Sequence, residues 1–219
     1  MDVIVEFRHV PGERGAVRWA KPVSFQVPRG TLHLIRTRGA FSGPLFRLAL
    51  GFSEPVGGEV LVQGQLPATL GRHDIRRLRR GIGSVLEPDG LVANLTIRMN
   101  LVVPLVYGNG LEFDAAVRRA NEMIDVMHLG LWAEERPGSL PAEVRQAAVL
   151  ARALSARTDV LMLENPLASM DNRETRRLLT LCRTQAETLL VATHRPDGVL
   201  HEFADAIWEW DDDGFRMAA

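Results

Sequence analysis

LHLIRTRGAFSGPLFRLALG, residues 32–51, is the stretch on which the fold turns. Residues 32–35 form an apolar run of strand character, whereas Leu45, Leu48 and Ala49 recur at helical spacing and Gly51 supplies a stop. A strand, a loop and a helix therefore follow one another. The helix start carries its own signals, because the Ser42 hydroxyl can accept from the first free N–H groups and Pro44 has its φ preset for a first turn.

Residues 3–7, 23–27 and 59–62 also read as strands, with Val27-Pro28-Arg29-Gly30 as a turn. Residues 87–140 are polar and proline-containing, carry helical patterns at 97–107 and 113–129, and read as an inserted helical subdomain closed by Gly138 and Pro141. Beyond it, 143–154 is amphipathic, 159–163 is a short continuous apolar run, 173–186 is helical, and 188–192 is apolar again. Residues 206–210, followed by Asp211-Asp212-Asp213-Gly214-Phe215, predict a hairpin with an acidic turn. Strands and helices alternating over short connections predict a mostly parallel α/β sheet covered on both faces.

Composition narrows the function classes. At 219 residues, 46% hydrophobic and 24% charged, the chain can bury one substantial core and has no mark of disorder. A net charge of −1 gives no reason to expect nucleic acid, and the basic run at 72–80 reads as a solvated helix face. The single cysteine, Cys182, excludes an internal disulfide and a cysteine metal cluster. The first residues lack a signal-peptide pattern, and no stretch approaches the roughly 18 apolar residues of a membrane span. The expected location is cytoplasmic, with any membrane association peripheral. Among 26 basic residues the only lysine is Lys21.

Five landmarks in order carry a family resemblance: VPRG at 27–30, LFRLALGFSEPVGGEVLVQGQ at 45–65, LPAEVRQAAVLARAL at 140–154, DVLMLENPLASMD at 159–171 and LLVATH at 189–194. Together they resemble an ABC transporter ATP-binding subunit over nearly the whole chain. The resemblance implies a P-loop NTPase-like (RecA-like) core with a mostly parallel sheet, an antiparallel β subdomain and an inserted helical subdomain. Core residues would be 1–86 and 155–219, and the helical, signature-bearing piece 87–154. The short length is similar to that of compact subunits of lipid- and lipoprotein-handling systems.

A phosphate loop needs glycines so that backbone N–H groups converge on the anion, a lysine for the β and γ phosphates, and a hydroxyl for magnesium. The family's loop falls on Arg36, Thr37, Arg38, Gly39, Ala40, Phe41, Ser42 and Gly43, where only Gly39 matches. Arg36 and Phe41 replace glycines, Ser42 the lysine, and Gly43 the hydroxyl residue. No shift repairs this, because Lys21 precedes a whole strand. Two readings stand for the segment: a helix capped by its own Ser42, or a residual anion site using Arg36, Arg38 and the helix dipole. The position of the adenine-stacking aromatic falls near Arg14, either a base-stacking cation or an exposed turn charge.

The remaining family positions have changed as well. The magnesium-linked aspartate corresponds to Glu164, and the catalytic glutamate to Asn165, which has no basic oxygen; general-base help is worth about 10²–10⁴ in rate. The signature corresponds to Leu140, Pro141, Ala142, Glu143 and Val144, with a proline where a donor is needed and an anion facing phosphate. Glu87 stands for the Q-loop glutamine. Asp171 and His194 are retained, and the residues themselves favour structural roles for them, as a helix cap and a strand-end histidine.

In this family each ATP lies between one subunit's loop and the other's signature, and both halves are altered here. The resemblance therefore implies a degenerate, non-hydrolysing subunit, a homodimer or a heterodimer with an ABC ATPase, docked on transmembrane permease subunits at the inner face of the cell membrane. No nucleic acid partner is expected, and ATP and Mg would bind only if residual affinity survives. A divergent working ATPase and a soluble ABC-like regulator are the alternatives. One further expectation is that Arg36 or Arg38 pairs with Glu143 of a second subunit.

Overall fold

Two sheets share one set of central strands' apolar side chains. A computed structural model describes residues 2–11, 21–37, 42–86, 90–166, 168, 170–194, 198–211 and 214–218, with the side chains of Ser42 and Asp211 left aside. In the smaller sheet β1 (Val3–Val10) lies between β2 (Val23–Pro28) and β4 (Glu59–Val62), antiparallel to both. Val23, Phe25 and Val27 alternate inward along β2, so this sheet buries one face.

The larger sheet has six strands in the order β5-β6-β7-β3-β8-β9. These are β3 (Leu32–Thr37), β5 (Ile82–Val85), β6 (Thr158–Glu164), β7 (Ala186–Thr193), β8 (Ala206–Asp211) and β9 (Gly214–Met217). All are parallel except β9, which closes the expected hairpin against β8. β6 is buried on both faces, as a continuous apolar run demands. Val160 and Met162 join the core beneath the small sheet and α1 (Ser42–Ala49), while Leu161 and Leu163 join the core beneath the helices.

The helical layer begins at α3 (Ile97–Val103), where the Thr96 side chain accepts from the Met99 N–H at 3.2 Å. Pro104 ends regular α-geometry and the chain continues as one π turn, Pro104–Gly108, so the helical pattern expected through residue 107 is divided in two. α4 (Phe113–Val126) and α5 (Ala142–Ser155) follow, and the fully buried Ala116, Ala120, Ala148 and Ala151 let them approach closely. α6 (Asn172–Gln185) places Cys182 in the core, where burial pushes the thiol up to about 12. Three elements were not foreseen as such: β5, the five-residue α7 (Val199–Phe203), and the full extent of β1 to Val10. The basic run at 72–80 is a helix, α2 (Arg72–Arg80), with only Leu78 buried. No helix among the described residues is long and apolar enough to cross a membrane.

Candidate functional site

Parallel strands deliver their C-terminal ends to one rim, and here β3, β6 and β7 bring Arg36, Glu164 and Thr193 into neighbouring registers beside the start of α1. Each candidate on that rim has a partner within the fold. Arg36 lies opposite Glu209 of β8 and forms an ion pair with its Oε1. Arg216 of β9 donates to the other carboxylate oxygen, Oε2, at 3.1 Å. A carboxylate from the neighbouring strand thus neutralises the cation at the head of the loop. A residual anion site and a pairing with Glu143 of a second subunit were among the readings open for Arg36; within this chain it pairs with Glu209.

Glu164 ends β6 and is 4% exposed. A Cβ added to Gly43 would lie 3.1 Å from Glu164 Oε1 and 3.4 Å from Oε2. The longer acid and the missing side chain are complementary: the carboxylate occupies space against α1 into which a hydroxyl-bearing residue at 43 would project.

Asn165 follows with φ +43°, in the left-handed region that asparagine tolerates better than most residues. Its N–H donates to the Ala192 carbonyl at 2.8 Å, and its Oδ1 accepts from the His194 N–H at 3.1 Å. Its own carbonyl accepts from the Gln146 amide at 2.9 Å. The base position is therefore a junction joining the ends of β6 and β7 to α5. His194 itself is exposed.

The signature residues surround the start of α5. Leu140 is buried, Pro141 occupies the N-cap without a side-chain cap, and Ala142 and Glu143 open the helix exposed to solvent. Glu143 lies in the first turn, where a negative charge complements the helix dipole. Val144 is half-buried against the helical core, and Arg145 donates to the Leu140 carbonyl at 2.7 Å. Asp171 caps α6, its Oδ1 accepting from the Glu174 N–H at 2.8 Å.

Arg14, Arg38, Gly39, Phe41 and Glu87 fall outside the described residues, as does the Ser42 side chain that was expected to cap α1. Two participants escaped the sequence reading. Gln146 was visible only as part of a helical pattern, and Glu209 carried no signal, since its importance comes from a register across β3 and β8.

Similarity to known proteins agrees with this architecture. Residues 20–168 match the family model described as ABC transporter. The chain is 31% identical over 182 residues to the methionine import ATP-binding protein MetN of Escherichia coli (strain K12), covering 81% of this chain and 53% of that one. With MetN of Mesorhizobium japonicum the identity is 31% over 190 residues, covering 84% and 52%. The chain thus spans about half the length of the curated relatives it matches. These relatives are named for methionine import and not for lipid or lipoprotein handling.

Among solved structures, the dimeric post-hydrolysis ATP-binding cassette MJ0796 bound to ADP and Pi superposes with a TM-score of 0.84 at 20% identity, covering 98% of both chains. CbiO1 from Clostridium perfringens, part of the transporter complex cbiONQ, gives 0.78 at 19%, covering all of this chain and 88% of that one.

Proposed function

Given that this chain belongs to the ABC transporter family, we propose that it is a non-hydrolysing cassette subunit, a structural or regulatory component of a permease complex at the inner face of the cell membrane. Residues 1–86 with 155–219 form its core and 87–154 its helical, signature-bearing piece. The observation that carries this reading is the placement of the buried Glu164 carboxylate, whose Oε1 lies 3.1 Å from where a Cβ at Gly43 would stand. In the family these positions hold a hydroxyl residue and a shorter acid that share a magnesium ion, and here one acid takes up the room of both. The residues present do not fit Mg–ATP.

The neighbouring groups support the same reading. Arg36 is engaged by Glu209, Asn165 has no basic oxygen to receive a proton, and Pro141 and Glu143 replace donors with an imino acid and an anion. The altered loop and altered signature belong to opposite halves of the family's shared site. Pairing with an intact ATPase would therefore leave each composite site with one altered half, so the dimer, homomeric or heteromeric, serves assembly.

Equilibrium binding of labelled ATP in the presence of magnesium tests the proposal. No saturable binding up to millimolar nucleotide, and no phosphate release, is the expected outcome. Micromolar affinity with turnover overturns it. The competing reading, a working transport ATPase with divergent residues, is favoured by the ATP-binding names of the relatives. It requires ATP-dependent self-association and phosphate release that responds to Glu164→Gln or Asn165→Ala.

A further inference from the structure

A groove of about 520 Å³ is lined by α2, β5, the π turn at Pro104–Gly108, the end of α5 and the start of β6. It gathers four guanidinium groups, from Arg76, Arg79, Arg80 and Arg152, and no carboxylate among the described lining residues. Two of the four are engaged within the fold. Arg79 donates to the Leu50 and Gly51 carbonyls at 2.7 and 3.0 Å and stacks on the half-exposed Phe52, and Arg152 donates to the Gly90 carbonyl. Arg76 and Arg80 are exposed and have no ion pair or hydrogen bond among the described residues.

The lining also holds polar groups that the chain leaves without partners. The Thr158 hydroxyl is buried and unbonded beside Gly83, where an added Cβ would stand 3.2 Å from it. Ser84 and Tyr107 likewise make no side-chain hydrogen bond among the described residues. Leaving a buried hydroxyl without a partner costs about 1–3 kcal/mol, and native groups of this kind are normally met by water or a ligand. Tyr107 is 82% exposed, so its ring is open to a ligand at the groove.

Arg76 and Arg80 stand about one helical turn apart, where like charges repel. A dianion between them turns that repulsion into attraction, and a phosphate presents the paired oxygens that a guanidinium fork meets best. The Tyr107 ring adds a flat apolar face, which suits a ring in the ligand. Pockets of about 300–1,000 Å³ accept molecules of that size. We propose that this groove binds a small phosphate monoester carrying a planar ring, with the phosphate between Arg76 and Arg80 and the ring against Tyr107. Occupancy needs neither magnesium nor the rim residues. Thr158 opens β6 and Glu164 closes it, about 20 Å away at the ordinary strand rise.

Flavin mononucleotide, titrated into the full chain without magnesium in about 0.15 M salt and followed by its fluorescence, tests this. It should bind saturably. Riboflavin, which lacks only the phosphate, should bind at least about tenfold more weakly, and inorganic phosphate, measured by competition, at least about twofold more weakly. Arg76→Gln/Arg80→Gln should lose at least about tenfold, and Tyr107→Ala about two- to tenfold. Arg72→Gln/Arg77→Gln, which removes the same charge from the same helix outside the groove, should bind within about twofold of the parent.

Riboflavin or inorganic phosphate binding as tightly as flavin mononucleotide, or equal loss in both arginine variants, overturns the proposal. So does displacement of the probe by phosphatidylglycerol vesicles or polyglutamate at equal charge, which would assign the groove to a lipid headgroup or an acidic segment. Should Arg76→Gln/Arg80→Gln fail to melt cooperatively, the ratio of flavin mononucleotide to riboflavin affinity on the parent chain decides. Labelled ATP that binds with magnesium and keeps its affinity in Arg76→Gln/Arg80→Gln belongs to the rim at Glu164, so each of the two readings can fail alone.

Discussion

Within β6 the chain passes from one kind of region to another in two residues. From Val160 to Leu163 every side chain is apolar and wholly buried, shared alternately between two cores. At Glu164 and Asn165 the side chains are still buried, yet they are polar: the Glu164 carboxylate lies against Gly43 of α1, the Asn165 Oδ1 accepts from the His194 N–H just beyond β7, and the Asn165 main-chain carbonyl accepts from Gln146 of α5. The first region tolerates any well-fitting hydrocarbon, whereas the second works only as a matched set. The interior and the strand ends are thus held by different forces.

Four measurements break or sharpen this contrast, in order of expected size. Leu161→Ala removes a fully buried side chain from the centre of the sheet and should cost about 2–5 kcal/mol in urea unfolding. A cost well under 1 kcal/mol would mean the interior is not the rigid partner in the comparison. Asn165→Ala loses the acceptor for the His194 N–H and places alanine at φ +43°, so a loss of about 1–3 kcal/mol is expected from the same experiment.

Gly43→Ala should lower stability by about 1 kcal/mol beside Glu164 and raise it slightly beside Glu164→Asp, a coupling read from a double-mutant cycle. Additive effects would show that the two positions do not share space. The smallest effect concerns His33, buried next to β8 with its Nδ1 accepting from Trp208 Nε1 at 3.1 Å. Burial holds its pKa below the usual histidine range, against a smaller opposing effect of Asp205. The neutral form is thus favoured in the folded chain, and its stabilisation is present above the ordinary value of 6.5 and declines as pH falls below it. Melting temperature followed from pH 7.5 to 5 should fall less steeply in His33→Gln.

How much of this was legible depended on the distance over which residues act. The apolar run of β6, the helical spacing in α1, α5 and α6, and the Asp171 cap are local patterns, and they could be read directly. β5, with sequence IGSV, is too short and too polar to announce a strand, and it exists because β6 pairs with it. At the rim, the individual residues could be read, but their partners could not. Arg36 looked like a cation for an outside anion, and only the register of β3 on β8 reveals Glu209 beside it. Likewise Gly43 and Glu164 read separately as two losses, whereas in space they are one adjustment.

That adjustment also limits how the two positions can change. A serine returned to position 43 would press against the buried glutamate, and a shorter acid returned to 164 would open a gap beside a residue with no side chain. Either single change begins with a less stable protein, so the two positions are expected to change together. The pair acts as a latch: either side chain can change without strain or a void only after the other has changed.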